Sequence, residues 1–341
     1  MNYKFPFKEA KQLLINLTRE GLPSNLKNKA ELILNLHLDE ETFPMSDMSE
    51  EDQKGLCELI ENGASLEEVK SKLTFEKTRT PEGIFRVMVR THLNRSGIGN
   101  ISEGISAKRK TQSPRVLNYT NTIRFADASE QEIILGWYEF ALINRDLEKP
   151  ALYYNDSAIK ALESLLEKVN KDGTISSKGI TSSKLQKELG INLGWCRIVL
   201  GIITGIKYLR ANNWVELQRK SFADTLSYND IDKMIKDCSK NVCEYGYALG
   251  GSFFGDLGSP YFVKDDVHVR DGINALFENL SSSEKRVEVL INSAQNIGVK
   301  PRVLDKILYF GGSGNYYLIG QKLSNSRSIK TKFIEGLNRM E

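Results

Sequence analysis

The segment YFVKDDVHVRDGI, residues 261–273, sets two adjacent carboxylates, Asp265 and Asp266, just ahead of His268, one of three histidines in the chain. Each aspartate raises the cost of ionising the other, so the pair needs a reason. A solvated turn is one reason. The other is a carboxylate fixed at the mouth of a pocket, where it stabilises a developing cation or activates a water. In an extended segment successive side chains alternate in direction, which makes Asp266 the candidate catalytic carboxylate and Asp265 its structural neighbour. A helical apolar pattern begins near His268, so Asp266 also stands at an N-cap position. Capping and chemistry are compatible in one carboxylate. His268 is expected to orient the site through a local hydrogen bond. Tyr245, Tyr247, Phe253, Phe254 and Tyr261 crowd the same stretch, either as core or as the walls of a pocket.

The elements that must position these residues are mostly helices. FKEAKQLLINLTREG (7–21) is amphipathic and closed by Gly21 and Pro23. TPEGIFRVMVRTHLNRSG (80–97) opens on Pro81 and stops at Gly97, with Arg86 and Arg90 on one face. SEQEIILGWYEFALINRD (129–146) begins with Ser129 and Glu132 in capping-box spacing. Toward the C-terminus, residues 227–251 read as a helix pair ending on Gly250-Gly251, followed by a glycine-rich loop to residue 260. A further helix carries Val287, Leu290, Ile291 and Ala294 on one face and ends at Gly298. Pro301 opens another, stopped by Gly311-Gly312.

Residues 156–225 form a unit of their own in this reading. One helix carries Ile159, Leu162, Leu165, Leu166 and Val169; a short helix ends at Gly190; a longer one spans 195–210; and NNWVEL then turns into a strand. That order resembles a winged helix-turn-helix. The longer helix, with Ile198, Val199, Leu200, Ile202, Ile203 and Ile206, is apolar nearly all round, which predicts burial rather than insertion into a DNA groove. The fold class expected is therefore mainly α, a multi-domain helical protein with a small β component. Its three parts are an N-terminal helical region (1–155), the winged-helix-like unit (156–225) and a C-terminal helical unit (226–341).

Composition sets the bounds. Of 341 residues, 40% are hydrophobic and 27% charged, as in an ordinary globular protein. There is no apolar run long enough for a signal peptide or a membrane span. The four cysteines, Cys57, Cys196, Cys238 and Cys243, and so few histidines leave little for a zinc site, and reduced thiols in a cytoplasmic protein are expected. No metal or cofactor is expected. The net charge of +3 conceals a strong asymmetry. Residues 39–61 hold nine acids against Lys54, whereas residues 77–124 hold ten bases against Glu82 and Glu103. The basic stretch, including Arg86, Arg90, Arg95, Lys108, Arg109, Lys110 and Arg115, suits a polyanion partner. Mutual neutralisation of the two segments within one domain is the competing reading.

Asp266-Val267-His268-Val269, at the start of a helix and after a loop with proline and glycine, resembles the D-[TV]-H-[VM] string of helix-hairpin-helix DNA glycosylases. The tail VLDKILYFGGSGNYY (303–317) is similar to the DK-x-x-W-x-x-GSG-x-F ending of some 8-oxoguanine glycosylase-like proteins. The resemblance is confined to the C-terminal third. It lacks the family's glycine-rich hairpin, since residues 227–239 contain no glycine. It implies a DNA glycosylase acting on double-stranded DNA, hydrolysing the N-glycosidic bond of a damaged or chemically modified base. Asp266 is the implied catalytic carboxylate. Lys240 stands where bifunctional members keep a lysine nucleophile, although the long loop before Asp266 favours carboxylate chemistry over a Schiff base. His268, Tyr245, Tyr261 and Phe253 are the substrate-binding candidates. Such an enzyme extrudes its target base from the stack. The long N-terminal extension fits defence against phage DNA carrying modified bases. The alternatives are a non-catalytic winged-helix DNA-binding regulator built on 156–225, and a protein-interaction adaptor using the two charged segments.

Overall fold

The computed structural model describes residues 4–42, 50–73, 80, 83–85, 87–88, 91, 201, 204–243, 245–277 and 280–340. Within them the chain is mainly α, and its small β component is a two-stranded antiparallel ladder. The residues divide into two compact units. The first unit joins both ends of the chain, drawing on residues up to 78, 221–232 and 254–341; the second includes 204–220 and 233–253.

The first unit begins with α1 (Phe7–Gly21), α2 (Ala30–Leu38), α3 (Glu50–Glu61) and α4 (Leu66–Ser71). Helix α1 has the bounds its sequence predicts. It buries Ala10, Leu14, Leu17, Thr18 and Gly21 at helical spacing, one stripe facing the core. Gly21 is required by contact: a Cβ there would lie 2.6 Å from Ile329 and 2.8 Å from Leu323, and its carbonyl accepts the Ser324 amide at 2.9 Å. Helix α2 buries Ala30, Ile33, Leu34, Leu36, His37 and Leu38, too many faces for a surface helix. The short α4 is nucleated by a capping box between Ser65 and Glu68.

In chain order there follow α5 (Trp214–Ser221), α6 (Tyr228–Asn241), α7 (Tyr247–Asp256), α8 (Val267–Leu276), α9 (Ser283–Ile297), α10 (Pro301–Ser313) and α11 (Ser326–Leu337). Helices α8 to α11 close over α1 and α2 around one continuous core, in which Leu14, Leu34, Ile273, Leu290, Leu308 and Phe333 are buried. Val287, Leu290, Ile291 and Ala294 form the buried face of α9, and Gly298 ends the helix in the left-handed conformation (φ 74°). Pro301 occupies the first turn of α10. The stop differs from expectation by a turn: α10 runs through Gly311 and Gly312, which pack on Phe333 and His268, and the left-handed cap is Gly314 (φ 63°). Beyond it, β1 (Asn315–Tyr316) pairs with β2 (Gln321–Lys322), with Asn315 opposite Lys322.

In the second unit Ile206, Tyr208 and Leu209 are buried, as an all-round apolar helix requires. Two expectations are corrected here. The stretch from Trp214, expected to be the strand of a wing, is helix α5, where Glu216 pairs with Arg219 at 2.8 Å and with Lys220 at 3.8 Å; i,i+3 and i,i+4 ion pairs favour helix over strand. Gly250-Gly251 does not end a helix but lies inside α7. The missing Cβ lets Gly250 sit against Ser239 and Ile235, and Phe253 and Phe254 beyond it are buried. The glycine-rich loop shortens accordingly to residues 257–266. The helices expected at 129–146 and 156–189, and residues 195–200, 202 and 203 of the helix expected at 195–210, lie outside the described residues.

Candidate functional site

The start of α8 holds the two aspartates, and their environments differ. Asp265 points inward, its side chain 2% exposed, and takes a two-pronged grip from Arg286 of α9: Nε to Oδ1 at 2.8 Å and Nη2 to Oδ2 at 2.7 Å. Arg286 also donates to the Leu280 carbonyl at 2.6 Å. Asp266 points outward, its side chain 17% exposed. Its backbone is extended, and Oδ1 accepts the amides of His268 at 2.9 Å and Val269 at 3.1 Å, an N-cap. Oδ2 is left facing the partly exposed Lys264 ammonium at 3.8 Å. The alternation of an extended segment thus separates an anchored carboxylate from a presented one, and the presented one stands at the positive end of the α8 dipole.

The loop carrying Asp266 is tied down from beneath by α10. The Arg302 amide donates to the Pro260 carbonyl at 3.0 Å, and Asp305 Oδ1 accepts the Lys264 amide at 3.3 Å. Arg302, 4% exposed, bridges Asp305 Oδ2 at 2.6 Å and Asp256 Oδ1 at 3.1 Å. Gly255 makes room for it, since a Cβ would stand 2.8 Å from the guanidinium. Next to this chain lies Lys306, buried, its Nζ donating to the Tyr317 hydroxyl at 2.5 Å and lying 4.5 Å from the centre of that ring. Burial, and then the Arg302 charge, bring the Lys306 ammonium from 10.5 down to about 7. Burial also pushes Asp305 above the ordinary carboxylate range, opposed by Arg302 and Lys306. The cluster is therefore a set of charges held by one another, expensive to break by removing one member.

His268, in the first turn of α8, meets Tyr309 edge-on with ring centres 5.9 Å apart. Its pKa is lowered by burial, with Asp266 opposing. Nδ1 is buried without a hydrogen-bond partner among the described residues, so the local hydrogen bond expected of His268 is not made through that atom. A Cβ on Gly312 would lie 2.6 Å from His268, which makes Gly312 the surface on which the imidazole rests.

The other sequence candidates go elsewhere. Tyr261 belongs to the first unit and lines a cavity that does not include Asp266; its hydroxyl donates to Asp224 and accepts from Lys300 Nζ at 2.7 Å. Tyr245 and Phe253 are buried members of the second unit, 6.4 Å apart edge to face, with the Tyr245 hydroxyl on the Met88 carbonyl at 3.0 Å. Lys240 lies exposed on α6 of the same unit. The basic candidates Arg86, Arg90, Arg95, Lys108, Arg109, Lys110 and Arg115 lie outside the described residues. Sequence reasoning missed Arg302, Asp305, Lys306 and Asp256. Adjacent Asp305 and Lys306 stand in LDKILYF among Leu304, Ile307, Leu308 and Phe310, all buried, but only the fold brings Arg302 and Asp256 into the cluster.

Among the described residues no cluster of histidine, cysteine and acidic side chains is placed to hold a metal, and no helix is long and apolar enough to cross a membrane. Cys57, Cys238 and Cys243 are buried; burial and the Glu61 charge push Cys57 up to about 11, away from thiolate chemistry. In comparisons with known proteins, no family model, no curated protein and no solved structure matches this chain.

Proposed function

We propose that the chain is a DNA glycosylase that hydrolyses the N-glycosidic bond of a modified or damaged base, with Asp266 as its carboxylate. The observation that carries this reading is the state of Asp266: one oxygen fixed by two amides at the start of α8, the other presented at a partly exposed edge. Cleavage breaks the C1′–N bond, the base leaves with the electron pair, and positive charge builds on the sugar. A preorganised carboxylate stabilises that charge without having to reorganise at the moment of reaction. Water then adds to C1′ and gives its proton to a base, a role the same carboxylate can take. The buried ties from Asp305 and Arg302 support the rigidity this needs.

Lys306 is not the nucleophile in this reading, since its amine is enclosed by Tyr317, Tyr309 and Phe310. Lys240, exposed on α6, is a candidate only for a strand-cleaving step. The basic excess in 77–124 supports DNA as the partner. The same composition, together with the long N-terminal region, supports a role against phage DNA carrying modified bases. The regulator reading loses its wing, because Trp214–Ser221 is helical. The test is to incubate the purified chain with genomic DNAs bearing different base modifications and to probe for abasic sites with an aldehyde-reactive label. Labelling confined to one modified DNA is expected. Absence of abasic sites on every DNA, with binding retained, would favour a non-catalytic DNA-binding protein.

A further inference from the structure

A cavity in the first unit has a lining that does not include Asp266. The cavity holds about 710 Å³ and is formed by the end of α2, the 224–231 segment, Tyr261, the end of α9 and the start of α10. That volume falls in the range of pockets for drug-sized ligands. Its walls are aliphatic, with Leu226, Ile231, Ile291 and Val303 among them. Its polar groups gather on one side, where Asp39, Glu40 and Asp224 stand against one ammonium, Lys300. Asp39 meets Lys70 at 3.0 Å, but the Asp224 side chain is 89% exposed and Glu40 is exposed beside it.

The chain already shows what this side of the cavity holds. Lys300 Nζ lies 4.6 Å from the centre of the Tyr261 ring, donates to its hydroxyl at 2.7 Å, and sits 3.6 Å from the Asp224 carboxylate. Aromatic face, phenol oxygen and carboxylate together make a seat for an ammonium, and Lys300 occupies it from the edge. The opposing consideration is that Lys300 and the first turn of α10 favour an anion. The carboxylates outnumber them, and Lys300 is already engaged by two of the groups it faces.

We propose that this cavity binds a small organic cation, an ammonium carried on an apolar body, with the body against the aliphatic wall and the ammonium between Asp224 and Glu40. Asp224 is held ionised by the Tyr261 hydroxyl and Lys300, so the site keeps its charge across the neutral range. Lys300 is a competitor for the ligand rather than a contact to it, which gives the assignment a signature that general stickiness lacks.

The experiment uses the full chain with hexylamine, hexanol and hexanoate as probes, followed by ligand-observed NMR titration. Hexylamine is expected to bind more tightly than hexanol, and hexanoate more weakly than either. Asp224→Asn should weaken hexylamine about twofold to fivefold, within the range of one exposed ion pair. Lys300→Met should tighten it by a similar factor, because the internal ammonium is gone. The exposure of Asp224 makes its variant safe for folding, and a matching unfolding midpoint would show that. A preference for hexanoate, hexylamine binding unchanged in Asp224→Asn, or binding of none of the probes would overturn the proposal. Asp266→Asn should leave hexylamine affinity unaltered, so this site stands or falls separately from the glycosylase reading.

Discussion

His37 should govern how the fold responds to acid. The side chain is fully buried on α2, with its ring 5.1–5.2 Å from the rings of Phe310, Tyr316 and Tyr317, all edge-on. Nδ1 donates to the Ile33 carbonyl at 2.7 Å and Nε2 accepts the Leu318 amide at 3.2 Å. The second bond exists only while Nε2 carries no proton. Burial, with the nearby Lys306 charge adding to it, takes the imidazole from 6.5 down to about 3. Between those values the unfolded chain binds a proton that the folded one does not, so stability is present above pH 6.5 and is lost as pH falls toward 3. The slope is about 1.4 kcal/mol per pH unit, so about 3 kcal/mol should disappear between pH 6.5 and pH 4. His37→Gln keeps a donor and an acceptor but cannot titrate. Urea unfolding followed by circular dichroism at several pH values should show a flatter acid limb in the variant than in the parent. Parallel limbs would refute the reasoning, and would mean that His37 is either protonated in the fold or not buried as described.

Asp265→Asn should cost about 3–5 kcal/mol, because it strands a buried guanidinium, whereas the pair Asp265→Leu with Arg286→Met should cost less; chemical denaturation of the three proteins decides it. Lys306→Met should abolish a gain in stability that the parent shows as pH rises from about 7 toward 10.5, since in that window the unfolded lysine binds the proton and the folded one sheds it. Unfolding midpoints at pH 7 and pH 9.5 suffice to check it. Gly312→Ala should lower the unfolding midpoint through overpacking against His268, at about 1–3 kcal/mol.

Local features of this fold were legible in the sequence because their causes are local. Helix α1, the N-cap at Asp266, the apolar face of α9, the left-handed glycine at 298 and Pro301 opening α10 each depend on residues within one or two turns. The failures share a different cause. Gly250 and Gly311 read as breakers, but each is a glycine of close approach, tolerated inside a helix because atoms of another helix fill the space. The wing strand failed because charge pairing along α5 outweighed the turn signal of Asn212-Asn213. Joining of the first 70 residues to the last 80 or so could not be read from periodicity at all, since it rests on contacts such as His37 with Leu318 and Gly21 with Ser324. For the site, alternation separated Asp265 from Asp266, and of the two readings offered for the crowded aromatics the burial of Tyr245 and Phe253 agrees with core. The ionic cluster of Arg302, Asp305 and Lys306 was hidden because charged residues are seldom fully buried, and only tertiary structure shows when they are.

The central claim is that Asp266 supplies negative charge to a sugar cation, and Asp266→Asn tests it most directly. Asparagine is as good an N-cap as aspartate, so α8 should remain capped and the unfolding midpoint close to that of the parent. The amide cannot supply the charge. Removing one preorganised electrostatic group lowers rates by about a hundredfold to a thousandfold in other enzymes. The measurement is single-turnover formation of abasic sites on a DNA carrying the processed base, with parent and variant at equal DNA occupancy. A loss of that size with DNA affinity retained is what this account predicts; a variant that releases the base at the parent rate would contradict it and leave Asp266 as a helix cap alone.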